Sequence, residues 1–340
     1  MTSMRPFTVV SVLALCAGVA RSACAAGYPM GYLKADGRMN ATILPLMQGL
    51  LAVSIAVVVI VLALVVVGAA LRFRPGPLAD VPLGESPSTA WITIGLAVST
   101  PVLLALVVWT SITMARIANP PTEPDLTVEV RGHQWWWEFV YHNHDPSQIF
   151  ETANELHIPV GKPVRFDLTG VDVIHTFWIP SLGGKTQIIP GQTNVTWLEA
   201  DKPGVYRGQC SQFCGEQHAH MILTVVADPP DVYERWREAQ LRAAATPSSD
   251  EARLDEATFI ERCAACHTVR GTRADGHMGP DLTHLMSRST IAAGTLPNNP
   301  GYLSAWISDP QSQKPGALMP RPELSGPELN RIRSFLLTLK

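Results

Sequence analysis

Two long stretches without a charged side chain constrain this chain more than any other feature. Ala41 to Leu71 carries none, and from Leu50 onward it is dense in Val, Ile, Leu and Ala. Ser86 to Ala115 is the second, with Trp91 and Trp109 placed as interfacial anchors. A helix rises 1.5 Å per residue, so about 20 residues cross the hydrocarbon core of a bilayer. Helices over about 45–71 and 90–115 are therefore expected to form a transmembrane hairpin within residues 26–119, leaving both flanks on one side. Pro101 is tolerable inside the second span where neighbouring helices satisfy the freed carbonyl. Basic residues do not decide the orientation, because Arg72 and Arg74 lie between the spans while Lys34, Arg38 and Arg116 lie on the flanks.

Composition agrees with a membrane segment. Of 340 residues, 46% are hydrophobic and 16% charged, against about 25% charged in a typical soluble domain. The net charge of −3 excludes a basic nucleic-acid binder as the default. Ahead of the hairpin, Arg5, the apolar run Phe7–Ala20 and the A-x-A pattern Ala23-Cys24-Ala25 read as a secretory signal over residues 1–25. A retained short helix and an acylated Cys24 are the alternatives, the latter weakened by Arg21.

After Asn119-Pro120-Pro121 the pattern changes. Residues 120–240 hold eight Lys/Arg and sixteen Asp/Glu. Leu126–Val130, Glu155–Val160, Val164–Leu168, Asn194–Leu198 and Met221–Val226 alternate like strands between Gly and Pro turns. An all-β barrel or sandwich over 120–230 is expected. Near its last strand, Cys210, Cys214, His218 and Met221 form C-x3-C-x3-H-x2-M. Two thiolates, an imidazole and a thioether make a soft set that favours copper. Zinc would take the two Cys and the His without using the thioether, and a disulfide is the other reading of two close cysteines. A second imidazole is available from His175. His220 fits no ligand slot and is expected to be exposed.

This string resembles the binuclear copper (CuA) loop of subunit II of the haem–copper cytochrome c oxidases. The aromatic stretch Arg131–Glu138, the sequence Asp172-Val-Ile-His175 and the segments Ile179–Lys185 and Ile189–Gly191 belong to the same resemblance. It implies a cupredoxin barrel behind a two-helix membrane anchor. It also implies that Cys210 and Cys214 bridge two coppers, that His175 and His218 are terminal ligands, and that Met221 and the Gln212 carbonyl are weak ligands. Trp135 would be the point where electrons from cytochrome c arrive, with Trp136 and Trp137 left to packing. Three positions depart from the family pattern. Gln212 replaces a Glu whose carboxylate reaches magnesium shared with subunit I, which puts magnesium in question. Gln187 stands where Asp is frequent. Ser88 stands where a Glu is linked to proton uptake, and Glu85 is out of register.

Asp231–Ala245 reads as an amphipathic helix, followed by the linker Thr246–Ser249. Cys263-Ala-Ala-Cys266-His267 is the c-type haem attachment pattern, with the two thiols bound to the haem and His267 on the iron. A redox dithiol is the alternative for a bare C-x-x-C; the adjoining His and the helical pattern before it (Leu254, Ala257, Phe259, Ile260) favour haem. Met319 is the expected sixth ligand, on a Pro-bounded loop before a final helix at about 327–339, as in class I cytochromes c. Met278 leaves little chain to cross the other face, Met286 suits a core position, and His277 and His284 are outsiders. Residues 251–340 are thus expected to form an all-α cytochrome c domain.

By resemblance, the chain is subunit II of an oxidase with a fused cytochrome c, carrying electrons from haem c through CuA to subunit I. Its expected partners are subunit I, subunit III, an external cytochrome c or quinol-side donor, and the lipid bilayer. The expected location is the bacterial inner membrane with both soluble domains periplasmic. Service to another reductase, such as a nitric oxide reductase, is the alternative. A copper-free structural subunit would have no use for the donor set.

Overall fold

The computed structural model describes residues 30–72 and 88–340; the expected signal, with Cys16 and Cys24, and the residues Arg74 and Glu85 lie outside the described residues. Helices α1 (Arg38–Arg72) and α2 (Ser88–Ile117) are each long and apolar enough to cross a membrane. Pro45 and Pro101 sit within them without ending either helix. Between Leu50 and Trp109 most of the described apolar side chains are exposed, as a lipid-facing surface requires. Trp109 departs from a purely interfacial role, because its ring lies against Gly49 of α1.

Both barrel-side ends of the hairpin are tied to the β domain. The Asp36 amide donates to the Ser181 carbonyl at 2.9 Å, and Arg38 pairs with buried Glu199 at 3.1 Å. At the other end, the Trp197 indole donates to the carbonyl of Ile117 at 2.9 Å. Both flanks therefore meet the same domain.

Ten strands build that domain: β1 (Leu126–His133), β2 (Trp136–His142), β3 (Phe150–Ala153), β4 (Glu155–Pro159), β5 (Val164–Gly170), β6 (His175–Phe177), β7 (Thr186–Ile188), β8 (Asn194–Leu198), β9 (Gly204–Gln209) and β10 (Ile222–Asp228). A five-stranded sheet runs β3-β2-β1-β5-β8, a three-stranded sheet runs β4-β10-β9, and β6 pairs with β7. Strand β1 is antiparallel to β2 and parallel to β5, and β10 is parallel to β4. Period-2 alternation puts Val128, Val130, Trp137, Phe139, Phe166 and Leu168 inside, against Leu156, Ile158, Leu223 and Val225 of the second sheet. Each such side chain contributes about 1.5–3 kcal/mol by leaving water.

Helix α3 (Pro230–Gln240) follows β10 and stops earlier than the expected Ala245. Tertiary bonds replace its last turn. The Arg270 guanidinium donates to the Gln240 carbonyl, and the Ala244 amide donates to the Arg270 carbonyl. The C-terminal domain contains α4 (Asp250–Cys263), α5 (Pro300–Ser308), the short α6 (Pro310–Gln313) and α7 (Gly326–Leu336). Ser249 caps α4, and Ser325 with Glu328 forms a capping box at α7. Helices α4 and α7 meet through Phe259 and Phe335, whose ring centroids are 4.9 Å apart.

One polar cluster joins the barrel, α3 and the C-terminal domain. His157 stacks on Trp236 with centroids 4.2 Å apart and bonds Asp228 at 2.7 Å and Glu155 at 3.4 Å. Glu155 in turn accepts from the Ser289 amide and hydroxyl. Burial opposes charge on His157, but the two carboxylates outweigh it and hold its pKa above the ordinary 6.5. A raised folded pKa stabilises fully below the unfolded value, and the gain is lost as pH rises through the folded value. The stability gap between the native chain and His157→Gln should therefore be widest below about pH 6.5 and shrink as pH rises. Thermal unfolding across that range measures it; a gap that widens with pH would contradict this arrangement.

Candidate metal and haem centres

The soft donors converge at one end of the barrel. Cys210 follows β9, Cys214, His218 and Met221 lie on the loop leading into β10, and His175 opens β6. The Cys210 and Cys214 sulfurs are 3.9 Å apart, too far for a disulfide, and both thiols are free and buried. His175 Nδ1 is 3.9 Å from the Cys210 sulfur, and His218 Nδ1 is 3.5 Å from the Cys214 sulfur. The Met221 thioether is 3.9 Å from Cys214, and the Gln212 carbonyl is 3.2 Å from Cys210. All six sequence-nominated groups thus join one chain of contacts. His220 stays outside it, exposed and bonded to Gln217. The set is soft and buried, with an imidazole beside each sulfur, so its chemistry fits a two-copper thiolate centre.

Surrounding groups orient these donors. Asp172 accepts from His175 Nε2 at 2.8 Å, which turns Nδ1 toward Cys210. Burial works against the Asp172 charge, but donors from His175, Val173 and Gln134 hold its carboxyl below the ordinary value. The two thiols share a proton, which favours the thiolate at Cys210. The Cys214 carbonyl accepts from the Gln134 side-chain amide at 2.8 Å and from the Trp135 indole at 3.0 Å. Gln134 and Asp172 were not singled out by motif spacing, although both lie within the aromatic and Asp-Val-Ile-His strings.

The three tryptophans have different surroundings. Trp137 is fully buried in the core, and Trp136 stacks on His133. Trp135 is only 9% exposed, and its carbonyl accepts from Lys314 of the C-terminal domain at 2.8 Å. The position expected to receive electrons thus has its ring packed in the barrel and its carbonyl bonded by the chain's own second domain.

In that domain Cys263 ends α4, and Cys266 and His267 occupy the turn after it, where both their amides donate to the Cys263 carbonyl. His267 Nδ1 donates to the Pro280 carbonyl at 2.9 Å, leaving Nε2 for a metal. Burial lowers the His267 pKa, which favours the neutral ligand form. The buried Arg288 leaves its Nε without a partner, a cationic donor suited to the carboxylates that a haem carries. Its sequence context gave no signal, since burial of a lone arginine is not visible in a motif. Together these groups fit a c-type haem. Met319 is half-buried, and Gln311 pins its loop by donating to the carbonyls of Ala317 and Met319. Met278 is largely exposed, Met286 packs on the domain core, and the ring nitrogens of His284 engage main-chain oxygens of Lys340 and Arg242.

A glycine controls the space beside His175. A Cβ on Gly132 would lie 2.8 Å from the His175 ring, whose other side is closed by the barrel core. Gly132→Ala should therefore displace the ring and lower copper affinity by about tenfold or more, with haem absorbance kept. Copper titration of the purified chain reads this directly; unchanged affinity would remove Gly132 from the centre's architecture.

Comparison with known proteins follows the same division. Residues 143–228 match the family model for the periplasmic domain of cytochrome c oxidase subunit II, and residues 256–340 match that for cytochrome c. Cytochrome c oxidase subunit 2 of Alkalihalophilus pseudofirmus is 41% identical over 215 residues, covering 63% of this chain and 61% of that relative. The match thus spans less than two thirds of that relative's length. The subunit 2 of Bacillus sp. (strain PS3) is 32% identical over 257 residues, covering 70% and 71%. Among solved structures, the periplasmic domain of subunit II from Bradyrhizobium japonicum is 34% identical and covers 35% of this chain and 95% of that one, with a TM-score of 0.33. With a two-helix anchor, a cupredoxin-type β domain and a helical cytochrome c domain in one polypeptide, the chain belongs to the cytochrome c oxidase subunit 2 family.

Proposed function

We propose that this chain is the electron-transfer subunit of a cytochrome c oxidase. It would receive electrons at a covalent haem c, pass them to binuclear CuA, and deliver them to subunit I, where oxygen is reduced to water. The observation that carries this reading is the single contact chain of two thiols, two imidazoles, a thioether and a carbonyl beneath a haem-attachment domain. Bound in these two places, copper and haem would supply one-electron redox chemistry.

The chain's own residues supply position and environment. Cys210 and Cys214 would bridge the coppers, His175 and His218 would be terminal ligands, and Met221 and the Gln212 carbonyl weak ones. Asp172 fixes the His175 ring, while Gln134 and Trp135 fix the Cys214 carbonyl, so the loop needs little rearrangement between oxidation states. Cys263 and Cys266 would hold the haem covalently, with His267 and Met319 on its iron. Met/His ligation raises a haem potential. Trp135 would conduct electrons from the fused domain, because Lys314 of that domain bonds its carbonyl. Magnesium is not part of the proposal, since Gln212 presents an amide where family members present a carboxylate.

The proposed setting is the bacterial inner membrane, with both soluble domains on the periplasmic side. The hairpin would pack on subunit I, with subunit III in the same complex, and an external cytochrome c would dock on the haem domain. The purified complex should consume oxygen with reduced cytochrome c as donor. Nitric oxide turnover without oxygen uptake would instead place the chain in another reductase. Cys214→Ser should abolish a delocalised two-copper EPR signal and leave haem absorbance intact; a retained signal would remove Cys214 from the bridge.

A further inference from the structure

The C-terminal domain rests on the copper-loop end of the barrel through one buried amine. Lys314 is 3% exposed. Its Nζ donates to the carbonyls of Trp135 at 2.8 Å, His220 at 2.9 Å and Ala292 at 3.3 Å. Two of these acceptors belong to the barrel and one to the C-terminal domain. Lysine is rarely buried without a paired charge, and no carboxylate ion-pairs with this one among the described residues. Burial pulls the Lys314 pKa down to about 7, and three carbonyl oxygens around its Nζ take the place of a counter-ion.

The residues beside Lys314 follow the same surface. Gln217 donates to the Pro315 carbonyl at 2.6 Å. Gly316, at φ +80°, lies so close to Glu216 that a Cβ there would be 2.5 Å from its carboxylate. Across the seam, the Ile222 amide donates to the Ala293 carbonyl at 3.2 Å. Lys314 is also five residues from Met319 on the same loop. From Lys314, a short path runs through the Trp135 carbonyl and indole to the Cys214 carbonyl.

We propose that Lys314 is a positioning residue: its buried amine latches the haem-bearing domain onto the Trp135 face and sets the separation and orientation of the two redox centres. The docking part stands on geometry alone, and its consequence for electron flow rests on the function proposed above. The latch acts on three backbone carbonyls, so it holds a register between two backbones and does not depend on a partner side chain's rotamer.

The test compares the native complex with Lys314→Met, which keeps length and removes the charge and donors, and Lys314→Gln, which keeps two donors. The Ile222 amide reports docking, because its acceptor lies in the other domain, while the Thr224 amide bonds Asn154 within the barrel and serves as the internal control. Lys314→Met should exchange hydrogen at Ile222 roughly tenfold faster, the loss expected for a hydrogen-bonded charge, with Thr224 unchanged. Electron transfer from haem to copper after a flash should slow by a similar factor. The copper EPR signal, haem absorbance and direct reduction of copper by a small-molecule reductant should stay as in the native complex. Lys314→Gln should fall between the two. Unchanged exchange and transfer in Lys314→Met would overturn the proposal. Loss of the copper signal or haem would also overturn it, by making Lys314 a folding residue. A failed oxidase assignment would show in oxygen uptake and leave the exchange result standing.

Discussion

The carbonyl oxygen of Cys214 is held from two sides, by the Gln134 amide and the Trp135 indole, and the metal end of the molecule is organised around that clamp. A loop carrying two thiols has little reason to stay in one shape without metal, since its sulfurs have no fixed partner. Here the β1–β2 turn reaches over and fixes the carbonyl, and the same turn donates its Gln134 amide to Asp172. Asp172 then fixes His175. One turn therefore orients candidate ligands from two separate segments, and the donor set is arranged without a metal.

This explains why the aromatic string beside the first strand and the cysteine loop occur together in one sequence. The motifs were legible because ligand chemistry restricts residue type at each position: no substitute supplies a thiolate bridge or a C-x-x-C-H attachment. The membrane spans were legible because an uncharged run of that length has few other fates. Strands with clean alternation, such as those at Val128 and Phe166, also showed in the pattern. Strands β2, β3, β6, β7 and β9 did not, because their limits depend on pairing with distant partners. The early stop of α3 was hidden for the same reason, since its end is set by Arg270, 30 residues away. Gln134 and Lys314 act through long-range carbonyl contacts, Arg288 through burial, and Asp172 accepts from the Gln134 amide 38 residues away, which leaves no local periodicity to read.

The contact between the Trp135 carbonyl and the second domain also changes how the acidic copper domain should be understood. A donor that diffuses must find its site, and complementary charge raises the rate of such encounters. A donor on a short tether is already present at an effective concentration in the mM range, so geometry limits it instead of encounter. The contacts at this seam match the second case. They are hydrogen bonds to backbone, namely Lys314 to the Trp135 and His220 carbonyls, Gln217 to Pro315 and Ile222 to Ala293, with Ser289 bonding the Glu155 carboxylate. Such bonds fix distance and angle and respond weakly to salt, whereas surface charge pairs are screened within about 10 Å at 0.1 M ionic strength. The sixteen acidic residues over 120–240 are therefore not what brings the haem domain to the copper loop. Under the proposed function a freely diffusing donor would meet the haem domain instead, whose ten acidic and ten basic residues over 250–340 present no net sign. On that reading the fusion would move charge-guided recognition away from Trp135, and the seam itself is specified by hydrogen-bond geometry.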